Sequence, residues 1–410
     1  MNPQLDGAVS DGYLTVAGGV CAPAGFTAAG VAAGIKLGGA LDLALIVSDR
    51  PAAAAAWFTT NRAAAAPVVI SREHVAGGVA RAVVVNSGCA NAMTGARGCN
   101  DARTTADGVA ALLGTTPDLI LVCSTGAIGT YLPIRRLLTG ARLAAGALTN
   151  DDATAARAIM TTDTRPKTAA VRSSYGWSVG GMAKGAGMLA PNTATMLSVI
   201  TTDARVTPEV LRTASRTAVE RTFHAITVDG ETSTNDTIAI LANGAADVTP
   251  TPEELVVALT EVCWALARQL ISDAEGATKE VLVRVKGAMD ETQASQASRL
   301  VAQSLLVKCA LHGGDANWGQ VAAALGRSQV EADFDRLSIV MGGVTVLDAG
   351  IPAGPDAIAL ARAGLTHRAI VVECSLAVGS AHAEMLTTDL SPEYARLNSE
   401  LVPDLSRPLE

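Results

Sequence analysis

The chain has 410 residues, 49% of them hydrophobic, 17% charged and 3% aromatic, and a formal net charge of −8. That length exceeds one ordinary core and predicts two or three domains or large layers. The acidic balance, with no basic cluster, argues against a nucleic-acid-binding surface.

Along the chain, the uncharged stretch Leu14–Ile35 looks superficially like a membrane span. It is built of Ala, Gly and Thr, contains Pro23, and follows Asp6 and Asp11 rather than a positive segment, so neither a span nor a signal peptide is expected. Short Val- and Ile-rich runs predict strands at Asp42–Val47, Pro67–Ile70, Arg81–Asn86, Leu119–Cys123, Met196–Thr201, Thr237–Leu241, Val281–Val285 and Ala369–Glu373. Amphipathic spacing predicts helices over Asn100–Leu113, Pro208–Thr222, Thr251–Ser272 and Thr292–Cys309. Thr207 precedes a helix opening on Pro208, and Thr251 with Glu254 forms a capping box. Thr164–Val179 reads as polar and irregular. Strands and helices mix without a strict βαβ rhythm, which predicts a layered α+β fold rather than a doubly wound sheet. Seven cysteines (Cys21, Cys89, Cys99, Cys123, Cys263, Cys309 and Cys374) include no CxxC pair. They suit a reducing cytoplasm, and no zinc-ligand spacing is present.

The most informative stretch runs GGMAKGAGMLAPNTATMLSVITTDA from Gly180 to Ala204. Glycines at 180, 181, 185 and 187 relax the backbone, Pro191 and Asn192 favour a turn, and a strand pattern starts at Thr195. A sharp turn that delivers a threonine to the start of a buried strand is what self-cleavage by an N→O acyl shift needs. The freed α-amine, with a reference pKa near 8, then serves as base for its own hydroxyl. The same residues also suit an ordinary turn before a core strand. Cys123-Ser-Thr-Gly-Ala-Ile-Gly129 follows an apolar strand and offers a hydroxyl and flexible backbone N–H groups, fit for an oxyanion or for a simple turn. Lys184, alone in an apolar glycine-rich run, suits a substrate carboxylate or a solvated surface. The polar run Asp229–Thr237 matches no cation loop and reads as a structural network. The five histidines are dispersed without metal-ligand or triad spacing, so no metal site is expected.

Nine blocks in order resemble the ornithine acetyltransferase (glutamate N-acetyltransferase) family: APAGFTAAGVAAGIK (22–36), NSGCANAMTG (86–95), CSTGAIG (123–129), AIMTTDTRPK (158–167), MAKGAGMLAPNTATML (182–197), DGETSTNDT (229–237), SDAEGATK (272–279), KCALHGGDANWG (308–319) and TTDLSPEYARLNS (387–399). The resemblance implies a layered αββα-type sandwich that cuts itself between Ala194 and Thr195. An α chain (1–194) and a β chain (195–410) then stay together, assembled into a heterotetramer or larger. It assigns Thr195 as nucleophile and Thr125 and Gly126 as the oxyanion hole. Thr161, Lys184, Thr195, Glu275 and Asn398 become the substrate pocket. The implied reaction is ping-pong transfer of acetyl from N-acetylornithine to glutamate, with no required cofactor and no nucleic-acid or membrane partner. Some members of the family also use acetyl-CoA as donor.

Three departures from the family pattern stand out. The tail runs on from Leu401 to Glu410 with Pro403 where a hydroxyl residue is usual; Ala316 and Gln320 replace Pro and Arg; Cys89 replaces Asn. These leave open a paralogue of a secondary-metabolite pathway with another acceptor, or an amidohydrolase in which water resolves the acyl-threonine.

Overall fold

A computed structural model of the chain describes residues 10–190 and 196–400. Ala194, Thr195 and Pro403 lie outside the described residues. Two compact units form: residues 10–224 with 231–270, and residues 225–230 with 271–400.

The first unit is built on a mixed sheet whose strands are β1 (Tyr13–Thr15), β2 (Phe26–Val31), β3 (Leu43–Phe58), β4 (Val79–Cys89), β5 (Ile120–Ala127), β6 (Lys167–Ser173), β7 (Ser178–Lys184), β8 (Leu197–Thr202) and β9 (Thr237–Ala242). Their order is β1-β6-β7-β8-β9-β3-β4-β5, with β2 on the free side of the first half of β3. Both faces of the sheet are covered. On β3 and β4, Ala44, Ile46, Val83 and Val85 join one core, while Leu43, Leu45, Ala82 and Val84 join another. That two-sided burial explains why these strands are continuous apolar runs rather than alternating ones. Helices α2 (Gly95–Leu113) and α3 (Ile134–Gly146) bury Ala106, Val109, Leu137 and Ala141 against one face. Helix α4 (Ala153–Ala158) buries Ala155 and Ala158 against the other.

Helices α1 (Ala66–His74), α5 (Pro208–Arg221) and α6 (Pro252–Ser272) complete this unit. The capping box of α6 is formed: the Thr251 amide donates to Glu254 Oε2 at 2.8 Å, and the Glu254 amide to Thr251 Oγ1 at 3.2 Å. The stripe Leu255, Leu259, Val262, Leu266 and Leu270 is fully buried. By length and composition α6 is apolar enough to cross a membrane, but half of its most apolar window is buried, and Val262 and Leu266 pack where Gly181 leaves room. It behaves as a core helix. The stretch Leu14–Ile35 holds β1 and β2, not a helix.

The second unit carries the sheet β13-β12-β11-β14-β10-β15: β10 (Glu280–Ala288), β11 (Ser338–Met341), β12 (Val344–Asp348), β13 (Ile351–Pro352), β14 (Ala369–Ser375) and β15 (Ala381–Thr388). Val281, Val283 and Val285 face a core shared with α7 (Glu291–Ala302), α8 (Leu305–His312), α9 (Trp318–Gly326) and α10 (Pro355–Gly364). On the outer face Arg284 pairs across both neighbouring strands, with Glu373 at 3.2 Å and Glu384 at 2.6 Å. A last helix, α11 (Pro392–Glu400), follows β15.

The α+β architecture agrees with the expectation from sequence; some elements do not. Pro67–Ile70, expected as a strand, lies in α1, where Pro67 occupies the first turn. A four-residue apolar run cannot by itself distinguish strand from helix, and proline suits a helix start. Thr164–Val179, expected to be irregular, supplies β6 and the start of β7. The fully buried β7 shows no alternation, which hid it. The predicted helix Thr292–Cys309 breaks into α7 and α8 at Gln303 and Ser304, where the Ser304 side chain caps the Val307 amide. Thr251→Ala is expected to lower the unfolding free energy by about 1 kcal/mol, measured by urea denaturation.

Candidate active site

The first unit gathers four of the sequence-predicted residues around the ends of β5 and β7. Thr125 and Gly126 stand near the end of β5, and Lys184 closes β7. Lys184 Nζ donates to Thr125 Oγ1 at 3.3 Å, and both side chains are buried. Gly126 is exposed, with φ +132°, and a Cβ there would sit 2.3 Å from the Gly88 carbonyl carbon. Only glycine fits this close approach of β5 to β4, which leaves a polar backbone bare beside a buried hydroxyl.

Asp163, which sequence reading passed over, holds this corner together. Its Oδ1 accepts from Lys167 Nζ at 2.6 Å and from the Gly185 amide at 2.7 Å; its Oδ2 accepts from the Thr161 amide at 3.0 Å. One carboxylate therefore links the exposed Thr161 to the residue after Lys184. Burial works against its charge, but Lys184 and Lys167, with the Gly185 amide, override it and hold the group at about 2. A third lysine, Lys36, donates to the carbonyls of Met160 (2.6 Å) and Leu41 (3.1 Å). Burial lowers the Lys36 ammonium below its ordinary range, and Lys184 pushes it the same way, against Asp42 and Asp163. The signal for Asp163 was in the sequence, as the acid of AIMTTDTRPK, but nothing in its spacing said which cations it would meet.

The polar run after Glu231 is a network, as expected. Asn235 Nδ2 donates to the carbonyls of Ser124 (2.9 Å) and Ala90 (2.6 Å), and Ser124 Oγ donates to Asn86 Oδ1 at 2.6 Å. Three sequence blocks thus fasten the backbone immediately before Thr125. Asp236 accepts the Met196 amide at 3.2 Å on Oδ1. Strand register sets Leu197 opposite both Lys184 and Thr237. Thr195, two residues before Leu197 in sequence, lies outside the described residues.

Glu275 and Asn398 meet in the second unit, where Asn398 Nδ2 donates to Glu275 Oε2 at 2.8 Å. Asp389 fixes the loop that bears Glu275: it accepts the amides of Thr278 and Lys279, each at 2.8 Å, and pairs with His312 at 2.6 Å. Gly276 allows α11 to approach, since a Cβ there would lie 2.5 Å from the Tyr394 nitrogen. Lys308, fully buried, donates to Thr387 Oγ1 and Thr388 Oγ1 at 3.2 and 3.0 Å. Burial pulls it down to about 8, against the opposing charges of Asp389 and Asp229. Gln320, one of the departures from the family pattern, has a buried Oε1 without a hydrogen-bond partner among the described residues. No group of three metal-binding side chains occurs among the described residues.

A family model for ArgJ matches residues 27–402, reaching across both units. The chain belongs to the ArgJ family. An ArgJ protein of Thermobifida fusca, named an arginine biosynthesis bifunctional protein, is 50% identical over 382 residues, 93% of this chain and 98% of that protein. The ArgJ protein of Mycobacterium tuberculosis strain H37Rv, which bears the same name, is 47% identical over 397 residues, 94% of this chain and 97% of that one. A solved ornithine acetyltransferase from Mycobacterium tuberculosis, complexed with ornithine, is 46% identical, with 45% of this chain and 100% of that chain covered at a TM-score of 0.43. ArgJ membership bears out the resemblance carried by the nine sequence blocks.

Replacing Asp163 by Asn leaves buried Lys167 without its anion and is expected to cost about 3–5 kcal/mol at neutral pH. The native carboxyl is depressed from 3.8 to about 2, so its contribution is complete above 3.8 and is lost as pH falls towards 2. Urea denaturation of wild type and D163N should accordingly show a constant gap down to about pH 4 that narrows only below it.

Proposed function

We propose that this chain is a self-processing N-acetyltransferase of arginine biosynthesis that moves acetyl from N-acetylornithine to glutamate through an ester on Thr195. The observation that carries this reading is the buried Lys184–Thr125 contact of 3.3 Å, at the end of the strand whose partner β8 begins two residues after Thr195. A cation, a hydroxyl and the exposed Gly126 backbone stand together there, which supports an acyl-transfer site. Family membership supports the pathway, since the curated relatives are named arginine biosynthesis bifunctional proteins.

The chemistry runs in two balanced halves. The Thr195 α-amine takes the hydroxyl proton as Oγ1 attacks the acetyl carbonyl of N-acetylornithine. Thr125 Oγ1 and the Gly126 N–H stabilise the oxyanion, the amide bond breaks, and ornithine leaves with the proton on its nitrogen. The glutamate α-amine then attacks the acetyl ester, its proton returns to Oγ1, and N-acetylglutamate departs. No cofactor enters either half. Acetyl-CoA as an alternative donor would acylate the same oxygen and release its thiol, a second activity in keeping with the relatives' description as bifunctional. Lys184 and Thr161, both in the first unit, serve the substrate's carboxylate end.

Cleavage between Ala194 and Thr195 divides the chain inside the first unit rather than between units. Strands β7 and β8 pair from Val179–Thr202 to Lys184–Leu197, so this ladder keeps fragments 1–194 and 195–410 together. The resulting αβ units assemble into a heterotetramer or larger and work in the cytoplasm.

Intact-mass analysis under denaturing conditions should find fragments 1–194 and 195–410, and Thr195→Ala should yield only full-length chain without transferase activity. A wild-type chain that stays whole would overturn the reading. Glutamate-independent release of acetate would make the enzyme a hydrolase instead. Thr125→Val should lower kcat for acetyl transfer by roughly 10²–10³-fold with KM little changed, as loss of one oxyanion donor does.

A further inference from the structure

Lys36 is a cation of the same corner that the mechanism above leaves unused. It lies in the first unit, on the segment between β2 and β3, and its stem packs against β4: a Cβ built at Gly88 would sit 3.0 Å from Lys36 Cγ. Gly88 is the register partner of Gly126, so Lys36 runs beside the strand that flanks the bare backbone of β5. Two protons of its ammonium go to main-chain carbonyls, Met160 at 2.6 Å and Leu41 at 3.1 Å. The third has no partner among the described residues, and no carboxylate there touches Nζ. Asp42, six positions on, is occupied by the amides of Ala33, Ile35 and Lys36 rather than by the ammonium.

The Met160 carbonyl belongs to the same peptide group as the Thr161 N–H, which donates to Asp163 Oδ2 at 3.0 Å. A trans peptide points its C=O and N–H apart, so Lys36 and Asp163 grip this group from opposite sides. Asp163 also binds the Gly185 amide at 2.7 Å, next to Lys184. Two ammonium groups therefore border the exposed Thr161, one through each side of its peptide. Burial weakens the Lys36 charge, and Lys184 adds to that effect, so the two cations lie within Coulombic reach of each other. Like charges gathered this way, one of them without a contact anion, are stabilised by an anionic ligand.

We propose that Lys36 selects a dicarboxylic acceptor, its third N–H binding the side-chain carboxylate of glutamate while Lys184 serves the α-carboxylate. This rests on the reading of the reaction given above. Glutamate brings two carboxylates and meets both cations. N-acetylornithine brings one, and its side-chain ammonium is repelled by Lys36. The two substrates therefore respond to this lysine in opposite directions, which damage to the fold would not produce.

The test measures steady-state acetyl transfer from N-acetylornithine by the full, processed enzyme to glutamate and to glutamine, which keeps the size but lacks the second carboxylate. Lys36→Met should raise the KM for glutamate about 10–100-fold, as loss of a hydrogen bond between charged groups does, while the KM for N-acetylornithine stays level or falls. The wild-type preference for glutamate over glutamine should shrink by the same factor. An unchanged glutamate KM, or an equal rise for donor and acceptor, overturns the assignment while the reaction stands. A wild type that transfers no acetyl between these substrates overturns the reading of the reaction itself. Should K36M not fold, Lys36→Arg decides, since it keeps the charge: a retained preference for glutamate over glutamine supports the assignment, and its loss overturns it.

Discussion

Buried ammonium groups set the terms for the first unit. Lys167 and Lys184 are almost wholly enclosed, and isolated charges in such surroundings are too costly to persist. Asp163 answers one directly at 2.6 Å, and the other, Lys184, is the charge that contributes most to holding the Asp163 carboxyl below its ordinary range. Because the same carboxylate binds the amides of Thr161 and Gly185, neutralising the charge also fixes the backbone at both of these positions. Loss of this anion would disturb the electrostatics and the geometry together.

The remaining parts are placed by the sheet around that charge cluster. Strand β5 brings Thr125 to Lys184, Gly126 keeps β5 close to β4, and Asn235 ties the Ser124 and Ala90 carbonyls from a third segment. Strand β8 starts beside Lys184, with Leu197 opposite it in the ladder. In the second unit a different acid does similar work: Asp389 secures the Glu275 loop through two amides, Thr278 and His312. In each unit a polar clamp holds a loop that bears substrate-facing candidates.

How much of this was legible in the sequence differed by level. The capping box at Thr251 and the Thr207 cap follow from local rules and formed where expected, and the strands expected at Asp42–Val47, Arg81–Asn86 and Met196–Thr201 formed as Leu43–Phe58, Val79–Cys89 and Leu197–Thr202. The buried strand β7 did not announce itself, because a strand enclosed on both faces and rich in Gly, Ala and Ser lacks the alternation that marks a strand. Pro67–Ile70 failed for the opposite reason: it had a strand's composition and a helix's proline. At the site, Thr125, Gly126 and Lys184 could each be named, but as single residues they suited bland roles equally well. What no spacing rule could supply was the meeting of Lys184 with Thr125, 59 positions apart, or the role of Asp163 between three amide and ammonium donors. Those contacts belong to tertiary structure, and the motif blocks located them only through resemblance.

The central claim is that one atom, Thr195 Oγ1, carries the acetyl group between donor and acceptor. It is tested most directly by mixing the processed enzyme with N-acetylornithine in the absence of glutamate, quenching in acid, and sequencing the fragment 195–410 by mass spectrometry. The account predicts one added acetyl group, on Thr195, which disappears when glutamate is added before the quench. Acetyl found on another residue, or none on a chain that still turns over, would contradict it.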